Sequence, residues 1–125
     1  MTAAQREART YSYNGPVVYK VEHDTSHLPK SVIVTRIIEA TVKETGITYW
    51  QMQSYSRERD ILEARGIACA LIKRYTGSTY GQIGQLFNRD HTTAMHSCSQ
   101  VKTWIDVDSH FVDKIFSVWQ NIENQ

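Results

Sequence analysis

Between Ser31 and Ile122 the apolar residues of this chain recur at three- and four-residue spacing, segment after segment, and that period selects helices. Glycines punctuate the pattern. Gly46 and Gly77 each stand just past the last periodic residue of a segment, where a left-handed backbone stops a helix. The first helix is expected behind Ser31 as N-cap, with a stripe of Val32, Val34, Ile37, Ile38 and Val42. "TYWQMQS" (48–54) reads as a short helical turn, and "SRERD" (56–60) as a charged linker whose Asp60 can cap the next helix. That helix runs to about Thr76, with Ile61, Ala64, Ala68, Leu71, Ile72 and Tyr75 on one side. A helix of two to three turns starts near Ser78 or Thr79 and carries Tyr80, Ile83, Leu86 and Phe87. A longer helix begins near His91 behind Asp90, and a last one over about 108–122 presents Phe111, Ile115, Val118, Trp119 and Ile122. The expected fold class is all-α, a bundle of five or six helices.

Residues 1–30 read as an N-terminal extension and residues 31–125 as the helical domain. Within the extension "VVYKVEH" (17–23) alternates between two faces behind an Asn-Gly-Pro turn, so a partly extended segment or short strand is expected. His23 and His27 are four apart, but in a turn-like stretch without a third ligand, which argues against a metal. Cys69 and Cys98 lie inside apolar-periodic segments and are expected to be reduced core thiols. No apolar run approaches the roughly 18 residues of a membrane span, and the N-terminus lacks a signal peptide's apolar stretch. Neither a membrane partner nor an export route is expected.

The formal net charge is +1, which selects no partner by itself. Its distribution says more: residues 57–102 hold seven Lys/Arg against four Asp/Glu, whereas residues 103–125 hold one against four. The basic surplus surrounds the junction "IGQLFNRDHTTAMHSC" (83–98), where five hydrogen-bonding side chains, Arg89 to Thr93, stand in a row. On a helical wheel Ala94, Cys98, Val101 and Ile105 fall together as a core stripe, while Thr92, His96, Ser99 and Thr103 fall opposite. A short helix, a tight turn and a longer helix with a polar outward stripe make a helix-turn-helix pattern. The second helix opens with groups suited to base edges: a Thr hydroxyl and methyl, a His that donates or accepts, an Asp that accepts from a cytosine amine. Its free backbone N–H groups favour phosphate. The plainer alternative is a capped helix start on a solvated face.

The same residues carry a resemblance. "ARGIACALIKRYTGSTYGQIGQLFNRDHTTAMHSC" resembles the C-terminal DNA-binding domain of the bacterial replication initiator DnaA, over about residues 33–122. The signature stands here as Thr76, Ile83-Gly84, Phe87, Arg89-Asp90-His91-Thr92-Thr93, His96 and Cys98. The resemblance implies a Trp-repressor-like helix-turn-helix and a bacterial cytosol or nucleoid, of a host or of a phage-infected cell. It implies that Asp90, His91, Thr92 and Thr93 enter the major groove, that His96, one turn further on, is another contact of that helix, and that Arg57, eight residues before Arg65, reaches the adjacent minor groove. It assigns Arg65, Lys73 and Thr76 to backbone or base-proximal contacts, and Arg89 to the same surface. The chain departs from the pattern in several positions. Asn88 stands where the family usually has two glycines, Gly66 where a Gln commonly follows the arginine, and Ser99-Gln100 where a basic pair follows the cysteine. Glu58, Asp60 and Glu63 are acidic where the family tends to be basic or neutral.

Two functions compete on this evidence. The first is sequence-specific binding of double-stranded DNA in replication-initiation control or transcription regulation, alongside replication or regulatory proteins. The second is a protein–protein adaptor that keeps the helix-turn-helix shell, favoured by the lost basic residues, the acidic last helix and Trp50, Trp104 and Trp119. An enzyme is not expected, because His91 and His96 diverge around a helix and no nucleophile–base–acid set is visible. No G-x-x-x-x-G-K-[ST] occurs, so no nucleotide or other cofactor is expected, and the chain reads as a free-standing recognition domain. The departures predict modest affinity through few phosphates, and predict that Ser99→Arg or Glu63→Arg would tighten binding to every duplex.

Overall fold

The computed structural model describes residues 28–123, and among them it is all-α, with six helices and no strand. They are α1 (Lys30–Thr45), α2 (Tyr49–Gln53), α3 (Arg59–Thr76), α4 (Tyr80–Leu86), α5 (His91–Val107) and α6 (Ser109–Glu123). The strand expected over 17–23 and the His23/His27 pair lie outside the described residues. None of the described helices is long and apolar enough to cross a membrane.

The helix stops fall where the glycines put them. Gly46 (φ 74°) and Gly77 (φ 65°) are left-handed, and their N–H groups donate to Val42 O (2.9 Å) and Lys73 O (3.1 Å). Two starts are reciprocal capping boxes that the sequence pattern alone did not single out. In Thr48/Gln51 and Thr79/Gln82 the hydroxyl takes the N3 N–H and the amide oxygen takes the cap N–H. Two caps differ from expectation. Pro29, not Ser31, precedes α1; its carbonyl accepts from Val32 and Ile33, and Ser31 lies in the first turn with its own carbonyl bonded by Thr35. Along α1, Ile33, Ile37, Ala40 and Thr41 are buried, Val34, Ile38 and Val42 half-buried, and Val32 exposed, so Ile33 rather than Val32 belongs to the buried stripe. Likewise Glu58 is the cap position of α3, and Asp60 sits inside its first turn.

Helix α3 is the axis of the bundle. It packs against α1 on one side and α5 on the other, α6 closes against α1, and α4 lies on α5. The core joins Ile37, Ile67, Leu71, Ile72, Ile83, Phe87, Phe111, Ile115 and Val118. Cys69 and Cys98 are buried free thiols, and burial pushes both thiol pKa values up, so they stay protonated. The predicted α5 stripe is found: Ala94, Cys98, Val101 and Ile105 are buried while Thr92, His96, Ser99 and Thr103 face out.

Between α4 and α5 the chain reverses in four residues. Gly84 O accepts from Phe87 N (3.0 Å) and Arg89 N (2.8 Å), and Asn88 takes a left-handed backbone (φ 57°). Asparagine is one of the few residues other than glycine that tolerates this conformation, which is how one residue makes the turn. The reversal brings backbone onto Gly84. A Cβ there would lie 2.5 Å from Arg89 O and 2.8 Å from Asp90 O, so only glycine fits. Gly84→Ala is expected to cost about 1–3 kcal/mol, because backbone must move to admit the methyl. Gly81→Ala, in the same helix with its nearest neighbour at 3.9 Å, should be neutral or slightly stabilising. Urea denaturation of the two variants checks the contrast.

Candidate nucleic-acid interface

Helix α5 starts on a charged cap. The Asp90 carboxylate accepts the Thr93 N–H at 2.8 Å. Hydrogen bonds from the Thr93 backbone and side chain, with smaller help from His91, hold its pKa below the usual carboxylate value. His91, Thr92 and His96 are exposed and Thr93 is half-buried, so the first two turns present Thr and His side chains outward.

Beside them lies a concavity of about 680 Å³. Tyr55, Ser56 and Arg57 of the α2–α3 linker, Leu62 and Arg65 of α3, and Arg89 form one part of its wall. Thr92, Thr93, His96, Ser97 and Gln100 of α5 form the rest. Three arginines and a histidine line it, and among the described residues no carboxylate does.

The three arginines are not equivalent. Arg65 is 4% exposed; its Nε donates to Met52 O (2.7 Å) and its Nη2 to Ser54 O (2.9 Å). Arg89 also donates to Ser54 O, and to Phe87 O (3.2 Å), Asn88 O (3.1 Å) and Gln53 O (3.4 Å), with its guanidinium 4.6 Å from the centre of the Tyr55 ring. The α2 carbonyls among these lie in its last turn and just past it, where helical partners run out. Burial first, and then the neighbouring Arg89 charge, lower the Arg65 pKa. Arg57, by contrast, is exposed and has no hydrogen bond or ion pair with a described residue.

Lys73 and Thr76 do not line the concavity. Lys73 donates to Ser78 O (2.9 Å) and lies over the Tyr80 ring, while Thr76 is buried, bonded to Ile72 O (2.7 Å) and Ser78 Oγ (2.6 Å). The fold therefore gathers Arg57, Arg65, Arg89, Thr92, Thr93 and His96 on one surface, with Asp90 and His91 at the head of the same helix.

Residues 34–101 match the family described as the bacterial dnaA protein helix-turn-helix. The chain belongs to that family. Among curated proteins it is similar to the chromosomal replication initiator protein DnaA of Bacteroides thetaiotaomicron, 32% identical over 96 residues, covering 76% of this chain and 20% of the relative. It is similar to those of a Synechococcus species (38% over 74 residues; 58% and 16%) and Wolbachia pipientis (34% over 87 residues; 69% and 19%). The chain thus spans a fifth or less of the length of these relatives, and carries a dnaA-type DNA-binding helix-turn-helix domain.

Tyr55, Ser97 and Gln100 line the concavity although the sequence pattern did not point to them, and Glu63 departs from its expected role. Glu63 is 7% exposed; Arg59 Nε donates to its Oε2 (2.7 Å) and Lys114 Nζ to its Oε1 (2.6 Å). Arg59 also reaches Asp108 (3.3 Å) and stacks over Trp104. Glu63→Arg would set a third cation among cations, so it should lower stability by about 2–4 kcal/mol rather than improve DNA binding. The loss stays below that of a fully buried pair because Arg59 and Lys114 touch water. Ser99→Arg, on the exposed face of α5, should leave the melting temperature unchanged. Thermal melts of the two variants decide this.

The Asp90 cap carries a pH signature. Because its folded pKa lies below the unfolded value of 3.8, its contribution is full above that value and is lost as pH falls through the folded one. Asp90→Asn keeps a capping oxygen but removes that titration. Its melting temperature should fall less steeply than the unsubstituted chain's on acidification below about pH 4.

Proposed function

We propose that the chain binds double-stranded DNA sequence-specifically, in replication-initiation control or transcription regulation, and without ATP hydrolysis of its own. One observation carries this reading: the recognition-helix side chains and the unpartnered Arg57 share a concave surface free of carboxylates among the described residues. Such a surface concentrates positive potential where a polyanion would dock. The start of α5 enters the major groove, with Thr92, Thr93 and His96 meeting base edges and His91 beside them. Asp90 caps the helix and aims those side chains, leaving carboxylate lone pairs for a cytosine amine. Arg57 reaches the neighbouring minor groove. Arg65 and Arg89 act chiefly by holding the linker that carries Arg57. Lys73, with Thr76 shaping its local turn, adds charge toward a flanking phosphate.

With Arg65 and Arg89 occupied by carbonyls, about two to four phosphates are neutralised. The slope of log K against log salt should then be roughly −2 to −3.5. Selection of bound sites from random duplexes tests the reading directly. On the selected site Thr93→Ala should lose about 1–3 kcal/mol of discrimination against a scrambled duplex and keep the slope, whereas Arg57→Ala should weaken both duplexes and make the slope shallower. Equal losses from Thr93→Ala on both duplexes would remove α5 from base recognition. The adaptor reading has its own observation, since Trp50 and Val107 are 76% and 75% exposed. It takes over if no duplex binds at low salt.

A further inference from the structure

Tyr55 is 82% exposed, yet it is not loose. Its ring lies on the Arg89 guanidinium, centred 4.6 Å away, and that guanidinium is itself held by carbonyls of Gln53, Ser54, Phe87 and Asn88. The stack gives the ring a fixed seat without taking it out of water. Its hydroxyl has no hydrogen-bond partner among the described residues. The ring lines the same concavity as Arg57, Thr92 and Thr93. An aromatic side chain held in place at the rim of a cationic surface, with an open donor, suits an acceptor that arrives with the ligand.

We propose that Tyr55 is an uncharged contact to the DNA backbone, its hydroxyl donating to a phosphate oxygen while Arg89 supports the ring. This rests on the proposed DNA binding and adds a residue to it. The chemistry predicts a distinctive signature. A phenol donates to phosphate as hydroxyl and amide side chains do, fixing register without reading sequence. Because it carries no charge it releases no counterion, so it strengthens binding without steepening the salt dependence. Arg57 on the same linker would do the opposite, which makes it an internal control.

The test compares Y55F, Y55K and R57A with the unsubstituted chain, titrated over a range of salt against a selected duplex and its scrambled counterpart. Y55F is expected to weaken both duplexes by the same factor, about three- to tenfold, with an unchanged slope and an unchanged melting temperature. Y55K should steepen the slope by about 0.9, and R57A should make it shallower by a similar amount. Y55F that binds like the unsubstituted chain overturns the proposal while leaving the DNA reading intact. So does a Y55F loss confined to the selected duplex, which would assign the hydroxyl to a base edge. So does a fall in melting temperature that accounts for the weakened binding. Failure of the unsubstituted chain to bind any duplex at low salt overturns the DNA reading, and this inference with it.

Discussion

Two guanidiniums meet at one carbonyl. Arg65 from α3 and Arg89 from the turn before α5 both donate to Ser54 O, just past the end of α2. Like charges this close repel, and Arg65 is also almost fully buried, so the arrangement would be costly without compensation. The compensation is the end of α2, whose last carbonyls lack helical partners and carry the negative end of the helix dipole. Met52, Gln53 and Ser54 supply the acceptors. Helix α2 is in turn bonded to α4: the Tyr49 hydroxyl and the Gln53 amide both donate to Leu86 O. These bonds tie the α2–α3 linker to the helix-turn-helix, so the elements that flank the concavity are fixed relative to one another before any ligand arrives. Preorganisation of this kind lowers the ordering cost of binding.

Helix boundaries were legible where a single residue decided them, less so at the Thr48/Gln51 and Thr79/Gln82 boxes, where two residues act together. Gly46, Gly77 and Asp90 are such single residues, because a left-handed stop and an Asx cap are local to three or four consecutive positions. The α5 core stripe was legible for the same reason. Errors arose where two local rules competed. Ser31 is a better cap by composition than Pro29, but Pro29 fixes its own backbone near φ −60° and the helix begins directly after it. The start of a helix does not set its buried face: Ile33 lies in line with Ile37 and Ala40, four and seven residues on, and Val32 does not.

The site was half legible. Motif and wheel together pointed to Thr92, Thr93 and His96 on an outward face beside Asp90 and His91, and the family resemblance pointed to Arg57. What spacing could not reveal was which charges already had partners. Arg89 finds Gln53 and Ser54 more than thirty positions away, and Glu63 finds Lys114 fifty-one positions away. A guanidinium held by such contacts and one open to solvent look identical in the sequence. Arg65 and Arg89 therefore read as phosphate ligands and Glu63 as a stray surface acid. Tyr55 was overlooked because "SRERD" and its neighbours read as linker, and an aromatic residue gives a linker no periodicity to notice.

A net charge of +1 is small for a DNA-facing domain, and the pairing pattern explains why it need not matter. Glu63 and Asp108 are engaged by Arg59 and Lys114 along the contact of α3 with α6, and Glu44 is engaged by Asn121. None of these carboxylates lines the concavity. Screening at physiological salt weights the field at the site toward the nearest groups, the cations that line it together with Asp90 at the head of α5. Neutralisation elsewhere in the molecule leaves that local surplus intact. It does limit long-range attraction to nonspecific duplex, so a larger share of the binding free energy must come from groups in direct contact. On the proposed reading, a domain built this way trades affinity for all DNA against dependence on the side chains at the head of α5.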